Sequence, residues 1–311
     1  MKIVFCCTNT KAEPWLEGFR QALPGADIWE WQAAQPGQSP KLADHAVVWS
    51  PPQSFIDEQA QLQNLFNIGA GVDALLKLNM PASMNIVRLN DAGMSVQMAE
   101  YVCHAVIRYF REFDHYDKDA QAQRWSYRKP TLRADFSVGI LGAGVLGSHV
   151  AKTLQAFEFP VNVWSRSPKH IDGVQSFSGA AQLPAFLKAT RVLVNLLPLT
   201  PETENILNRE HLMQLQQGAF LINVARGRHL VEQDLLDVLD AGHMAGATLD
   251  VFREEPLPQG HAFWTHPQMT VTPHTSARTL REESIAQIAG KLKAVSAGQA
   301  IEGRVDKVRG Y

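Results

Sequence analysis

Ser137-Val138-Gly139-Ile140-Leu141-Gly142-Ala143-Gly144-Val145-Leu146-Gly147 is the stretch on which the fold turns. Its first five residues read as a buried strand, the G-x-G-x-x-G run as a tight turn, and residues 148–157 as a helix. Each glycine has its own task in a dinucleotide-binding turn. Gly142 permits the turn, Gly144 lets the backbone approach a pyrophosphate, and Gly147 lets helix and strand pack closely. The phosphates then meet free N–H groups at the helix N-terminus, beside Val145 and Leu146. Alone, the motif also fits a glycine-rich turn without a ligand. Here strand, helix and a following strand are all present, and that context favours a nucleotide site.

The next strand decides between cofactors. An NAD-type site ends it with Asp or Glu, which takes the ribose 2′-hydroxyl. Val161-Asn162-Val163-Trp164-Ser165-Arg166-Ser167-Pro168-Lys169 contains no acid. Arg166, between Ser165 and Ser167, suits a 2′-phosphate, which a guanidinium grips bidentately and a carboxylate repels. NADP is therefore expected, with NADPH preferred over NADH. A solvated surface arginine is the alternative.

Outward from this stretch, apolar runs at residues 137–141, 161–164, 192–196, 219–223, 247–250 and 269–271 alternate with helix-compatible segments. Six such strands make one doubly wound unit. Upstream, strand-like runs at residues 2–7, 46–49, 65–68 and 86–89, with a helix at 15–23, imply another parallel sheet. Between the blocks, Met98, Tyr101, Val102, Ala105, Val106, Tyr109 and Phe110 recur at helical spacing and predict one helix over 97–118. Residues 122–134 are irregular and polar, and 282–297 are helical.

Bulk properties exclude several classes. The 311 residues suffice for two domains with real cores. With 29 basic against 31 acidic residues, there is no basic excess for nucleic acid. No apolar stretch approaches the roughly 20 residues that span a membrane, and the run from Ile3 to Cys7 is too short for a secretory leader. Three cysteines, two of them adjacent, argue for a reducing cytoplasm over a disulfide framework. No CxxC or HExxH spacing suggests a metal.

Three further motifs close later strands: Asn223-Val224-Ala225-Arg226-Gly227, then Asp250-Val251-Phe252 with Glu255-Pro256-Leu257-Pro258, then Pro273-His274. In a doubly wound sheet the C-terminal strand ends face the ligand crevice. An arginine, a glutamate and a histidine are thus delivered by successive strands. Singly, each has a structural alternative: a core histidine, an arginine paired with a structural acid, a surface glutamate.

With Gly69-Ala70-Gly71-Val72-Asp73 and Leu197-Pro198-Leu199-Thr200-Pro201-Glu202-Thr203, these motifs resemble the D-isomer-specific 2-hydroxyacid dehydrogenase family over nearly the whole chain. Residues 140–147, Trp164-Ser165-Arg166 and the terminal Arg309-Gly310-Tyr311 are similar to those of its bacterial glyoxylate/hydroxypyruvate reductase group. The resemblance implies a Rossmann cofactor domain (residues 96–280) inserted in a flavodoxin-like substrate domain (1–95 plus 281–311), with the active site in a cleft. It implies that His274 is the general acid, that Glu255 bonds its imidazole, and that Arg226 grips the carboxylate of a small 2-keto acid. The backbone of Ala70 and Gly71 would take the other carboxylate oxygen. Cofactor contacts would come from the 142–147 loop, from Ser165, Arg166 and Ser167, from Leu197, Pro198 and Thr203, from Val224 and Ala225, and from Asp250. Trp125 would lie on an arm crossing a homodimer interface, with local packing as the alternative. Trp49 and Met94, near strand ends of the first domain, could contact substrate, with core packing the favoured reading for Trp49. A non-catalytic dinucleotide-sensing regulator and a formate- or phosphite-type dehydrogenase are the rival functions on this scaffold.

Overall fold

A computed structural model describes every residue except Pro36, Val308 and Tyr311, so the end of the terminal Arg-Gly-Tyr motif lies outside the described residues. The chain divides into two units: Met1–Met94 with the segment beginning at Arg278, and Ser95–Ala277.

In the first unit, β1 (Lys2–Cys7), β2 (Asp27–Glu30), β3 (His45–Trp49), β4 (Asn64–Asn67) and β5 (Asn85–Arg88) form a parallel sheet of order β2-β1-β3-β4-β5. This is the flavodoxin-like order. Helices α1 (Glu13–Ala22) and α2 (Gln53–Glu58) belong to opposite faces. The period-two alternation of a strand sorts β1 between two cores. Ile3 and Phe5 join Trp15 and Phe19 on one face, while Val4 and Cys6 join Phe55 and Ile56 on the other. Each large side chain fully buried this way contributes about 1.5–3 kcal/mol.

The chain enters the second unit along α3 (Met94–Phe110) and α4 (Phe113–Gln121). There follow β6 (Val138–Leu141), α5 (Val145–Ala156), β7 (Val161–Ser165), β8 (Gln175–Ser178), α6 (Gly179–Lys188), β9 (Val192–Asn195), α7 (Arg209–Leu212), β10 (Ala219–Asn223), α8 (Glu232–Asp240), β11 (Met244–Leu249) and β12 (Met269–Val271). Their sheet is parallel, of order β12-β11-β10-β9-β6-β7-β8. From β6 outward this is the Rossmann order extended by β12. Val138 and Ile140 pack with Val102 and Val106 of α3 and Val150 of α5. Leu141 and Leu193 pack with Phe186, Leu187 and Leu235 on the other face. The chain then returns to the first unit, where Ile285, Ile288 and Leu292 of α9 (Arg281–Ser296) complete the core beside α1.

Three expectations are corrected. The second sheet has seven strands among the described residues, not six. The addition, β8, is the edge run Gln175-Ser176-Phe177-Ser178, in which Phe177 alone is a large apolar residue and meets Phe186 at 5.8 Å. Likewise β2, with Asp27 and Glu30 at its ends, is an edge strand of the first sheet. Edge strands blunted by polar groups escape a search for apolar runs. The single helix expected over 97–118 is two, because Glu112 takes a left-handed conformation with φ +53° and breaks the α ladder.

Among the described residues, no helix is long and apolar enough to cross a membrane, and no three His, Cys, Asp or Glu side chains gather to hold a metal.

Candidate active site

The site is built on the C-terminal strand ends of the second sheet. After β6 the chain turns at Gly142, where φ is +105° and a Cβ would stand 2.8 Å from the Leu196 carbonyl oxygen. A Cβ on Gly147, in the first turn of α5, would lie 1.8 Å from the Gly142 carbonyl oxygen. Packing therefore excludes side chains at both positions. Gly144 is different. It is the helix N-cap, offers no side-chain cap, and a Cβ built there meets nothing within 4 Å. That open space lies before first-turn N–H groups that a helix leaves without internal acceptors. It fits the pyrophosphate of a dinucleotide.

At the end of β7, Ser165 turns its hydroxyl back onto the Ser167 carbonyl (2.7 Å), and Arg166 and Ser167 are exposed. Arg166 stands near the loop after β9. Hydrogen bonds from Thr200 and from its own amide, and then the Arg166 charge, hold the Glu202 carboxyl below its ordinary range. In that loop Leu197 is buried and Pro198 exposed. Thr203 closes it, accepting from the Thr200 amide (2.9 Å) and donating to the Pro198 carbonyl (2.7 Å).

After β10, Val224 and Ala225 are buried and Arg226 is half-buried. Arg226 donates from Nη1 to the Ala225 carbonyl (2.7 Å), and its own carbonyl accepts from the Asn223 amide side chain (3.1 Å). Gly227 follows because a Cβ there would meet the Phe252 carbonyl carbon at 1.8 Å. The loops after β10 and β11 touch at that point.

The loop after β11 carries Asp250, fully buried, and then Glu255. The Asp250 carboxylate accepts from the Thr272 hydroxyl (2.5 Å) and from the amides of Thr275 and Ser276 (2.8 Å each). Its carbonyl accepts from the His274 amide (2.8 Å). The turn after β12 is thus wrapped around Asp250. Within it His274 has φ +50°, a strained conformation for a residue with a Cβ, costing on the order of 1 kcal/mol and held by those flanking bonds.

Glu255 Oε2 lies 2.7 Å from His274 Nδ1, and Glu255 Oε1 accepts from the Phe252 amide (3.0 Å). Burial pushes the Glu255 carboxyl up. The hydrogen bonds from His274 and Phe252, with the charges of His274 and Arg226, outweigh burial and leave it below the ordinary carboxylate range. Glu255 and His274 therefore meet, and the Arg226 charge acts on the same carboxyl, each residue coming from the loop after a different strand. With Nδ1 committed to Glu255, the imidazole keeps Nε2 for a reacting group.

Ala70 and Gly71 belong to the first unit. Asn67 shapes their loop by donating to the carbonyls of Gly69 (2.8 Å) and Gly71 (2.9 Å). Trp49 is not the core residue expected. It ends β3, is 37% exposed, and lays its ring where a Cβ on Gly69 would be, at 1.9 Å. Trp125, Tyr127 and Leu132 stand exposed on the segment after α4, and Arg278 is exposed.

Two polar networks escape sequence reasoning. Tyr101, which reads as one more apolar position of α3, meets the Thr272 hydroxyl at 2.6 Å. Beneath the loops after β9 and β10, the buried Asn195 side chain donates to Asn223 Oδ1 (3.0 Å) and contacts His229 Nδ1 (2.9 Å). A signal for this second network exists, since Asn195 and Asn223 each end an apolar strand.

Residues 103–276 match the family described as D-isomer specific 2-hydroxyacid dehydrogenase, NAD binding domain. Over the full length of both chains, the glyoxylate/hydroxypyruvate reductases A of Serratia proteamaculans and Yersinia enterocolitica are 50% and 47% identical to this one. A solved D-isomer specific 2-hydroxyacid dehydrogenase from Xanthobacter autotrophicus Py2, in complex with NADPH and MES, superposes with a TM-score of 0.93 at 36% identity, covering 100% of this chain and 99% of that one. An NADPH-dependent glyoxylate/hydroxypyruvate reductase from Sinorhizobium meliloti, in complex with NADP and sulfate, does so at 0.92 and 34%, with the same coverage. The chain belongs to the D-isomer specific 2-hydroxyacid dehydrogenase family.

The Glu255–His274 pair makes stability depend on pH. Since the folded carboxyl titrates below its unfolded value, its contribution is complete above the unfolded pKa and is lost as pH falls through the folded one. Glu255→Gln lacks that contribution. The wild type should exceed this variant in urea midpoint at about pH 6, above the ordinary glutamate pKa of about 4.3, and the gap should narrow on acidification. A gap independent of pH contradicts the pairing.

Proposed function

We propose that this protein reduces glyoxylate and hydroxypyruvate to glycolate and D-glycerate with NADPH. The observation that carries the proposal is the Glu255–imidazole hydrogen bond of 2.7 Å, with the Arg226 charge acting on the same carboxyl. The reductase names and NADP-bound complexes of its relatives support the substrates and the cofactor.

The 142–147 loop, Arg166 and the loop after β9 would hold NADP in the second unit. Bound there, the reduced nicotinamide supplies the hydride. The guanidinium of Arg226 pairs with the substrate carboxylate and polarises the keto group. His274 holds a proton on Nε2 and gives it to the keto oxygen as charge develops there. Glu255 holds Nδ1 at 2.7 Å and so orients the ring, leaving Nε2 to carry this proton. Asp250, with its carboxylate committed to residues 272–276, fixes the turn that presents the acid. The chain acts in the cytoplasm as a homodimer. The exposed Trp125, Tyr127 and Leu132 suit a second copy, and sedimentation as a monomer would contradict this.

Mixing the protein with NADPH and each keto acid, and following the loss of nicotinamide absorbance, tests the proposal. Turnover is expected with both acids, faster with NADPH than with NADH, and Arg166→Asp should move the preference towards NADH. No turnover with either acid overturns the function. A cofactor ratio unchanged in the variant removes Arg166 from the 2′-phosphate site.

A further inference from the structure

We propose that Tyr101 is a positioning residue for the general acid, acting on His274 through Thr272 and the buried Asp250, an inference that rests on the reductase function proposed above.

The direction of the hydrogen-bond chain follows from counting protons. Thr272 has one hydroxyl proton, and it goes to Asp250 Oδ1 at 2.5 Å. Its oxygen can therefore only accept from the Tyr101 hydroxyl, 2.6 Å away. Tyr101 donates to Thr272 and Thr272 donates to Asp250. Burial pushes the Tyr101 phenol up to about 12, so it stays a donor throughout the neutral range.

The chain ends on the group that organises the acid's turn. Asp250 Oδ1 is shared by the Thr272 hydroxyl and the Thr275 amide, Oδ2 takes the Ser276 amide, and the Asp250 carbonyl takes the amide of His274 itself. Four of the five residues from 272 to 276 are thus tied to one residue. His274 lies between the ties, in a left-handed conformation its own Cβ disfavours. Such a conformation persists only while its surroundings over-determine it. Tyr101 supplies the last tie from outside the turn, from α3, whose Val102 and Val106 are locked in the core against β6. Groups of this kind, working on a catalytic side chain through its neighbours, hold it in its productive geometry.

The isosteric variants Tyr101→Phe and Thr272→Val each remove one hydroxyl, and Thr272→Ser keeps it. In NADPH-dependent reduction of glyoxylate, Tyr101→Phe and Thr272→Val should lower kcat by about three- to tenfold, with KM for the keto acid and Kd for NADPH within twofold of wild type. Thr272→Ser should restore at least half of the wild-type kcat. The double variant should be no slower than Thr272→Val alone, because both changes break one chain. A merely structural hydroxyl would lower the unfolding midpoint and leave kcat unchanged, and that result overturns the proposal. So does an effect confined to KM or Kd, or a double variant whose losses multiply. A wild-type protein that turns over neither keto acid would instead overturn the function on which the inference stands. If Thr272→Val does not fold, Tyr101→Phe and Thr272→Ser decide the matter by the same split between kcat and KM.

Discussion

Parallel pairing throughout the second sheet is the constraint from which the rest of the structure follows. Parallel strands all finish at one edge, so whatever follows their last residues is gathered there. Gly142 follows β6, Arg166 follows β7, Leu197 and Pro198 follow β9, Arg226 follows β10, Asp250 and Glu255 follow β11, and His274 follows β12. The order of the strands places an anion-binding helix terminus, a guanidinium and an imidazole–carboxylate pair on one rim.

The rim stays rigid because its loops are bound to one another. Gly227 lets the turn after β10 press on the backbone at Phe252, which in turn donates to Glu255. Asp250 takes the amide of His274 on its carbonyl and donates its own amide to the Asn223 carbonyl. The strain in His274 is therefore offset by bonds from its neighbours. The site's electrostatics are equally local. The carboxyl of Glu255 is held below its ordinary range by the hydrogen bonds from His274 and Phe252 and by the Arg226 charge, despite a burial that opposes charge.

Much of this was legible in the sequence, and particular residues show why. Gly142 and Gly147 are demanded by backbone geometry, which only one residue type satisfies, so their spacing betrays the turn. The missing acid near Arg166 is readable because a ribose hydroxyl and a phosphate ask for opposite charges. Residues that act through tertiary contacts are silent. Tyr101 obeys the apolar period of α3 perfectly well as a core residue, and nothing local says that its hydroxyl meets Thr272, more than a hundred and fifty residues on. Strand β8 and the break at Glu112 were hidden for a related reason, since neither produces an apolar period. Trp49 reads as core because a tryptophan after an apolar run looks buried, whereas its ring lies over a glycine at an exposed strand end.

The central claim is that His274 supplies the proton. Its most direct test is the single-turnover rate of His274→Ala with saturating NADPH and keto acid, beside the variant's Kd for NADPH. The loss of a general acid typically costs at least about 100-fold, so a fall of that size with Kd unchanged is the predicted result. A rate within a few-fold of the wild type would contradict the account.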